Sequence, residues 1–479
     1  MTHIMQKRYI ALASFCLGIG ACKDSTSVPD LNNPSVSSVG GALTPGNLQI
    51  LFTGVVNRER QALDYPFLVF PGTMGRDIWR LDNSESRFES ETLEGRPSPG
   101  GFLARGFTPY YSAIRAENNL IDAIPRATAQ FSAADKAAIS GFVRTLKAND
   151  FYRVLETRDT LGLPIAVSDP AVVAPIVCKP GVLAYLSSLL DSANNDLQAA
   201  KSGGTTTFPA TLPSGWTSIG GDYSQIANQI LYNRGLKGKV EVYRGLAPGG
   251  TAQNFTAAVA ALDIALANVT PDAPGLAGGP YFQFSTLSGE VTNPVFDSRI
   301  HFTPSVFDSL QANDARGSKI ITQPTPATLK VDGVTFSTPY DPAVTVTSDP
   351  ANQTRPIPIL KNEELYLLRA QAKIGLSNYP GAAADLNVVR EGSGGGTLVP
   401  YTTFVDQKSA IDALLYEKRY SLLTDGGQRL TDLRAYNRLS SLYYPLGSQL
   451  APYTSDPYNY VLPFPQSEID ARNGNTKCQ

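Results

Sequence analysis

Histidine and cysteine are scarce in this chain, and their scarcity excludes several kinds of catalytic and metal site. The 479 residues include two histidines and four cysteines. Beyond residue 3, His301 is the only imidazole on which a Ser-His-Asp triad or a histidine-rich zinc site could be built. The sequence also has no CxxC pair, HExxH, P-loop or EF-hand loop. We therefore predict no metal site, no cofactor and no catalytic centre.

A surplus of positive charge is also missing, and so is an apolar run long enough to cross a bilayer. The 40 basic residues are balanced by 42 acidic ones, which excludes a basic surface for nucleic acid. The apolar run at residues 9–21 is shorter than the ~20 residues that a spanning helix needs. Because 42% of the residues are hydrophobic, the chain can bury a large core in one or two domains.

Residues 19–22, Ile-Gly-Ala-Cys, match the signal box of a bacterial lipoprotein. The basic pair Lys7-Arg8, a short apolar run and small residues before Cys22 are typical of a signal peptide, here residues 1–21. Residues 22–42 are polar and predict a flexible tether, with lipid on Cys22 as the membrane anchor. The alternative is ordinary secretion with Cys22 in a disulfide. Cys178 and Cys478 either pair or remain free thiols.

Apolar residues at three- and four-residue spacing predict helices over most of the chain. Ser132 and Asp135 form a capping box that opens a long helix through Leu155. Helical hairpins with alanines at their crossings are typical of tetratricopeptide repeats, so we predict a mainly α fold with a right-handed superhelical scaffold. The other predicted helices cover residues 45–63, 109–124, 181–200, 223–244, 254–267, 362–376, 379–390, 404–423 and 429–439.

Two loop-rich segments interrupt the helices, at residues 67–107 and 269–360. The second is partly β, because residues 291–296, 331–336 and 344–346 are short β-type patches bounded by turn formers. Loops held by a rigid scaffold commonly carry binding residues. We therefore expect both segments to face a ligand.

Five sequence blocks in the C-terminal third resemble, in fixed order, the SusD/RagB family of outer-membrane nutrient-binding lipoproteins. Residues 114–125 and the Asp314-Ala-Arg316 element extend the resemblance upstream. The sequence departs from the family at Gln371, where Glu is usual, and at Lys361-Asn362, which replaces an Arg-x start. The five blocks are residues 355–372, 382–390, 411–419, 427–434 and 462–470.

The resemblance implies one helical domain at residues 43–479, acting as a lid over a SusC-type TonB-dependent barrel at the cell surface. Family members capture oligosaccharides or peptides and deliver them to that channel, without catalysis. In the matching blocks we expect a structural charge network rather than a ligand site, and a closing segment pinned by Pro463, Phe464 and Pro465. The network would consist of Glu417, Arg419, Asp432 and Arg434.

A sugar binds well to an aromatic platform flanked by polar side chains. Trp79 lies between several such side chains and is our first candidate, although a buried structural tryptophan is the alternative. The candidate ligand-binding residues are Trp79, Arg76, Asp77, Asn83, Trp216, Tyr281 and Tyr340.

Two functions of other classes stay open. The first is a helical-toroid glycan-degrading enzyme, which needs two carboxylates about 5–10 Å apart with one raised pKa. The second is a helical-repeat scaffold that binds only protein partners. Product release from oligosaccharides would indicate the enzyme, and barrel binding without any nutrient ligand would indicate the scaffold.

Overall fold

Helices form where the periodicity predicts them. Ser132 accepts a hydrogen bond from the Asp135 amide, and Asp135 accepts one from the Ser132 amide, both at 3.0 Å, which confirms the predicted capping box. The longer helices are α1 Pro45–Gln61, α2 Val69–Met74, α3 Thr108–Ala123, α4 Ala133–Arg158, α5 Lys179–Ser202, α6 Ile226–Leu246, α7 Ala252–Ala265, α8 Asn362–Gly375, α9 Tyr379–Gly392, α10 Gln407–Ser421, α11 Gln428–Ala435 and α12 Gln466–Ala471.

This computed structural model describes residues 40–63, 68–93, 98–331, 334–346, 348–426, 428–439 and 461–479. The predicted anchor Cys22, the signal peptide and nearly all of the tether lie outside the described residues. From Ala42 onward the chain forms one compact unit. No helix within the described ranges is both long and apolar enough to span a membrane.

Shorter helical segments lie in the connections. The α-helical ones are Ser214–Thr217, Ala273–Leu276 and Pro304–Asp308. A π-helix covers Phe88–Leu93. The 3-10 helices are Phe102–Gly106, Ile124–Arg126, Asp159–Leu161, Ala315–Lys319, Ala343–Thr345 and Pro350–Thr354.

Consecutive helices pack against one another, each helix from α3 to α10 against its successor, and α1 packs against α3. Glycine permits the closest approaches. A Cβ on Gly238 of α6 would lie 2.4 Å from Leu262 of α7, and one on Gly141 of α4 would lie 2.7 Å from the Ala193 carbonyl of α5. Buried alanines, such as Ala261 and Ala370, serve the same purpose. The predicted fold of tetratricopeptide-like helix pairs is confirmed.

In the described residues, the strands pair into four small antiparallel sheets. The pair β1–β5 joins the two loop-rich segments, with Trp79 opposite His301. β6 and β7 form a hairpin with an irregularity between Thr322 and Ala327. The strands are β1 Ile78–Arg80, β2 Leu163–Pro164, β3 Ile176–Val177, β4 Tyr281–Phe282, β5 Ile300–Phe302, β6 Ile320–Val331, β7 Val334–Pro342 and β8 Ile357–Pro358.

Two of the three predicted β-type patches are wrong. Residues 291–296 form an irregular loop, because Asn293 bonds back onto its own turn and Pro294 has no amide to donate to a ladder. Residues 343–345 form a 3-10 turn. In the third patch, residue 331 belongs to β6 and residues 334–336 belong to β7, so these described residues are β as predicted.

A disulfide joins Cys178, just before α5, to Cys478, with the Cα atoms 4.9 Å apart. This resolves the alternative that the sequence left open. Two backbone hydrogen bonds support the same junction, from Cys178 N to Gln479 O (3.1 Å) and from Gln479 N to Ile176 O (2.9 Å). The last residues are thereby fixed to the start of α5. Nearby, Phe464 is 3% exposed and meets Phe107 edge-on, which confirms its predicted pinning role.

Replacing both Cys178 and Cys478 by alanine is expected to lower the free energy of unfolding by about 2–4 kcal/mol, because the cross-link restricts the unfolded chain. Denaturant unfolding measures the loss. Reducing the wild-type protein should reproduce it, whereas the double variant should not respond to reductant. Equal stability of wild type and variant would contradict the prediction.

Candidate functional site

Trp79, the first candidate platform, lies in the core. The side chain is 3% exposed, and its ring meets Phe336 edge-on with centroids 5.3 Å apart. Leu93 and Leu329 pack in the same hydrophobic cluster. The indole therefore offers no open face to a sugar, and the alternative of a structural tryptophan describes it correctly.

The three candidates close to Trp79 in the sequence, Asp77, Arg76 and Asn83, differ in whether they are buried or exposed. Asp77 is 6% exposed and accepts a hydrogen bond from Arg419 Nε at 2.9 Å, so it holds α10 rather than a ligand. Arg76 has φ 68°, and its carbonyl accepts a hydrogen bond from Thr303 Oγ1 (3.0 Å). Of these three residues, only Asn83 is exposed.

The remaining candidates pack against other protein groups, and Trp216 and Tyr281 lie on neighbouring elements, Ser214–Thr217 and β4. Trp216 is 3% exposed and meets the rings of Phe142 (5.2 Å) and Tyr232 (5.3 Å), so its predicted platform role is also corrected. The half-buried Tyr281 donates its hydroxyl to the Ala277 carbonyl at 2.5 Å. Tyr340 is half-buried and stacks on Phe307 with centroids 4.4 Å apart.

A cleft of about 740 Å³ lies between the end of α1 and the loop that precedes β5. It has the size of a small-molecule site. Both loop-rich segments contribute to its surroundings, because β1 and β5 pair beside it. Its lining residues are Arg60, Gln61, Leu63, Phe284, Glu290, Val291, Thr292, Asn293, Pro294, Phe296, Asp297, Ser298, Arg299 and Thr345.

Asn293 fixes the shape of the cleft loop. Its side chain is buried and donates to the Arg355 carbonyl at 2.7 Å, while its Oδ1 accepts from the Val295 amide at 2.8 Å. Its own amide donates to the Gln353 carbonyl at 2.8 Å. These bonds hold the loop by its middle, so the wall of the cleft is formed before any ligand arrives.

Four charged residues form a cluster at one end of the cleft, here called the Arg80 cluster. Arg80 is 2% exposed and pairs with Asp297 at 2.8 Å and with Asp82 at 3.2 Å. Arg299, 47% exposed, pairs with Asp82 at 3.0 Å and with Asp297 at 2.8 Å. Burial alone would raise the pKa of Asp297, but hydrogen bonds from Arg299 and the charge of Arg80 hold it below its ordinary value.

The cleft lining also contains a second ion pair and an aromatic ring. Arg60, at the end of α1, pairs with the exposed Glu290. Phe296 is half-buried and lines the cleft, as does the buried Phe284. A partly accessible ring beside polar and charged groups is the combination that a sugar needs.

Sequence reasoning identified the segment that forms this cleft but not its residues. Phe296 lies in the patch at 291–296, which the sequence predicts as β. Arg60 lies outside both loop-rich segments. The proximity of Phe296 to arginine and hydroxyl side chains was the available signal, since it resembles the pattern around Trp79. The buried state of Trp79 could not be read from its neighbours.

A second cleft, of about 360 Å³, lies between α3 and α12. Three of its charged side chains bind other protein groups: Arg115 donates to the Ser168 and Val167 carbonyls, and Arg472 pairs with Glu468. The first cleft is larger and lies in the predicted ligand-facing half. It is therefore the better candidate for the ligand site.

Comparison with known proteins gives a clear result for the fold. No family model and no curated sequence matches the chain. Solved structures do match. A SusD superfamily protein from Bacteroides fragilis is 15% identical, with a TM-score of 0.66 over 90% of this chain and 98% of that one. The chain has the SusD fold.

Two further matching structures carry names that state a binding activity. A SusD-like carbohydrate binding protein from Bacteroides vulgatus is 16% identical, with a TM-score of 0.62 over 92% of this chain and 98% of that one. A surface glycan-binding protein from Bacteroides thetaiotaomicron is 12% identical, with a TM-score of 0.62 over 90% and 97% of the two chains. The fold that the sequence blocks implied is thus confirmed over about nine-tenths of this chain.

Proposed function

We propose that this protein captures an oligosaccharide in the cleft beside Arg60 and Phe296 and delivers it to a SusC-type TonB-dependent barrel. Lipid on Cys22 would hold it on the outer membrane at the cell surface. The observation that carries the proposal is the cleft itself, in which a half-buried aromatic ring lies among polar groups. The SusD fold and the names of the relatives agree with a glycan ligand.

The charges in the cleft favour an oligosaccharide over a peptide. Arg60 pairs with Glu290, and Asp297 pairs with Arg80 and Arg299. A charged peptide would have to compete with these pairs for its own counter-charge. A neutral sugar needs only hydrogen bonds from them, together with a ring for its apolar face.

Asp297 does not suit the role of general acid in a glycosidase. A general acid needs a raised pKa, whereas the arginines around Asp297 lower the pKa of that group. We therefore infer a binding protein rather than an enzyme. A scaffold that binds only proteins would make no use of the preformed cleft.

Binding of the full-length protein to a panel of α-glucan, β-glucan, xylan and mannan oligosaccharides tests the proposal. Isothermal titration measures affinity, and chromatography of the mixtures detects cleavage. We expect saturable binding of at least one class without products. Release of cleavage products would show that the protein is an enzyme instead. Binding of tryptic peptides without binding of any glycan would make peptides the ligand class.

Replacing Phe296 by alanine is expected to weaken glycan binding about fivefold or more, because a central aromatic contact is commonly worth over ~1 kcal/mol. The matched control is Phe307→Ala, which removes an exposed aromatic ring, 44% accessible and stacked on Tyr340 outside the cleft. Its affinity should equal that of wild type. A loss confined to Phe307→Ala would move the site to the Phe307–Tyr340 pair.

A further inference from the structure

Three carboxylates meet in the helical core behind the cleft, here called the acidic core. Glu59 of α1, Glu117 of α3 and Asp150 of α4 are 2%, 0% and 1% exposed. One oxygen from each lies within 4.8 Å of the others. Because the three residues come from different helices and no ligand motif links them, the sequence prediction of no metal site had no means of detecting this group.

The acidic core is short of hydrogen-bond partners. Both carboxylate oxygens of Glu117 and both of Asp150 are buried without a hydrogen bond among the described residues. Buried polar atoms are normally paired, so each such oxygen calls for an explanation. Four unpaired oxygens in one small volume are consistent with a missing positively charged ligand.

The nearest cations have other hydrogen-bond partners. Lys147 donates to the Asn118 side chain at 2.5 Å, and Arg153 donates to Glu156 and to the Ile359 carbonyl, each at 3.0 Å. Their charges do act on the acidic core, with Lys147 favouring ionised Glu117 and Arg153 favouring ionised Asp150. Neither supplies a direct hydrogen bond to those carboxylates.

A hydroxyl provides a second, independent observation. Tyr232 of α6 is 3% exposed, and its hydroxyl has no hydrogen-bond partner in the described structure. Burial raises the pKa of Tyr232 well above its ordinary value, and the charges of Glu59, Asp150 and Glu117 raise it further. A second kind of buried polar group without a partner therefore lies within the electrostatic reach of the three carboxylates.

Burial makes the isolated acidic core costly. It raises the pKa of Glu59 to about 8, and those of Glu117 and Asp150 well above their ordinary values. The negative charge must therefore be met by protons or by a metal ion. The oxygen separations fit a metal, because an ion with ligands at about 2.3–2.6 Å places them at most roughly 5 Å apart.

We propose that Glu59, Glu117 and Asp150 bind a hard divalent cation. Carboxylate donors favour Ca²⁺, Mg²⁺ or Mn²⁺ over softer ions. The ion joins α1, α3 and α4 at one point. Because Glu59 directly precedes Arg60, the ion also holds the last turn of α1, which contributes Arg60 to the wall of the cleft.

The test begins with full-length protein unfolded in guanidinium with chelator, because a buried ion exchanges slowly from the folded state. The protein is refolded either metal-free or with Ca²⁺, Mg²⁺ or Mn²⁺. We expect elemental analysis to find about one ion per chain after desalting, and the melting temperature to rise with the concentration of the preferred ion. Bound Mn²⁺ is also visible by paramagnetic resonance.

The variants Glu117→Gln and Asp150→Asn keep the side-chain shape and remove charge, so both should fold. Neither should retain metal or show the ion-dependent rise in melting temperature. The matched control is Asp196→Asn, which changes a carboxylate bonded to Ser140 and Arg144 of the same helix α4. It should respond like wild type.

Two results would overturn the proposal. One is a refolded wild-type protein that holds no metal and has the same melting temperature with all three ions and with chelator. That result would mean that protons, and not a metal ion, neutralise the acidic core. The other is an unchanged ion response in both amide variants, which would place the metal elsewhere. Neither readout depends on glycan binding.

Discussion

Replacing Glu417 by alanine is expected to lower the free energy of unfolding by about 3–5 kcal/mol, the usual cost of breaking a buried ion pair. Glu417 is 0% exposed. Its two oxygens accept hydrogen bonds from Arg316 and Arg390, each at 2.6 Å, and Tyr401 adds a third at 2.9 Å. Truncation would leave two buried guanidinium groups without their shared carboxylate.

The charge of Arg316 makes this loss severe. Burial alone would lower the pKa of Arg316, but its hydrogen bonds to Asp314 and the charge of Glu417 raise it above its ordinary value. When Glu417 is removed, Arg316 keeps its hydrogen bonds to Asp314 at 2.9 and 2.7 Å and so stays charged. Denaturant unfolding at constant m-value measures the effect.

The matched control for Glu417→Ala is Lys408→Ala, which removes one member of an exposed pair with Asp412 on the same helix. Exposed pairs contribute about 0–1 kcal/mol. A loss at Glu417 no larger than that at Lys408 would contradict the account of a buried network.

Replacing Trp79 by alanine is expected to lower the free energy of unfolding by about 3–5 kcal/mol, as large-to-small core substitutions do. The reason is that the ring fills the hydrophobic cluster with Phe336 and Leu329. Glycan affinity, measured well below the melting temperature, should be unchanged. Asn83→Ala, at an exposed position nearby, should change stability by no more than about 0.5 kcal/mol.

The opposite outcome for Trp79→Ala would be equally clear. Unchanged stability with a large loss of glycan affinity would restore the original interpretation of Trp79 as a platform. It would also mean that the β1 strand opens when ligand binds.

Local pattern was enough to predict the helices. Their apolar spacing and the Ser132–Asp135 box depend on residues within a few turns of each other, and the observed ends lie close to the predicted ones. The strand at 291–296 was wrong because a strand requires a partner, and β composition does not reveal whether one exists.

The charge network also shows that local sequence does not reveal which distant residues will be partners. Glu417, Arg419, Asp432 and Arg434 were expected to be structural, and their contacts confirm that role. Asp432 joins the last two long helices by pairing with Lys418, a residue that the prediction did not include. The others reach distant elements, with Glu417 bonded to Arg316 and Arg390, Arg419 to Asp77, and Arg434 to the Glu156 carbonyl.

Gln371 explains one departure from the family pattern. It is fully buried, donates to Asp432 at 3.3 Å and accepts from Lys418 at 2.9 Å. A glutamate there would place a second carboxylate beside Asp432. The amide satisfies both charged neighbours, so the substitution changes the network without breaking it.

The cleft could be located only roughly from sequence. Its two walls come from the end of α1 and from the loop before β5, and these meet only after the helices pack. The acidic core has the same origin, since three helices each contribute one acid. The anchor Cys22, in contrast, rests on local sequence alone and stays a prediction.

A crystal structure of the protein with the tightest-binding oligosaccharide of the panel tests the central claim most directly. The account predicts a sugar ring against Phe296, with its hydroxyls hydrogen-bonded to side chains of the cleft such as Arg60 and Arg299. A sugar seated on the Phe307–Tyr340 pair, or in the cleft between α3 and α12, would contradict it.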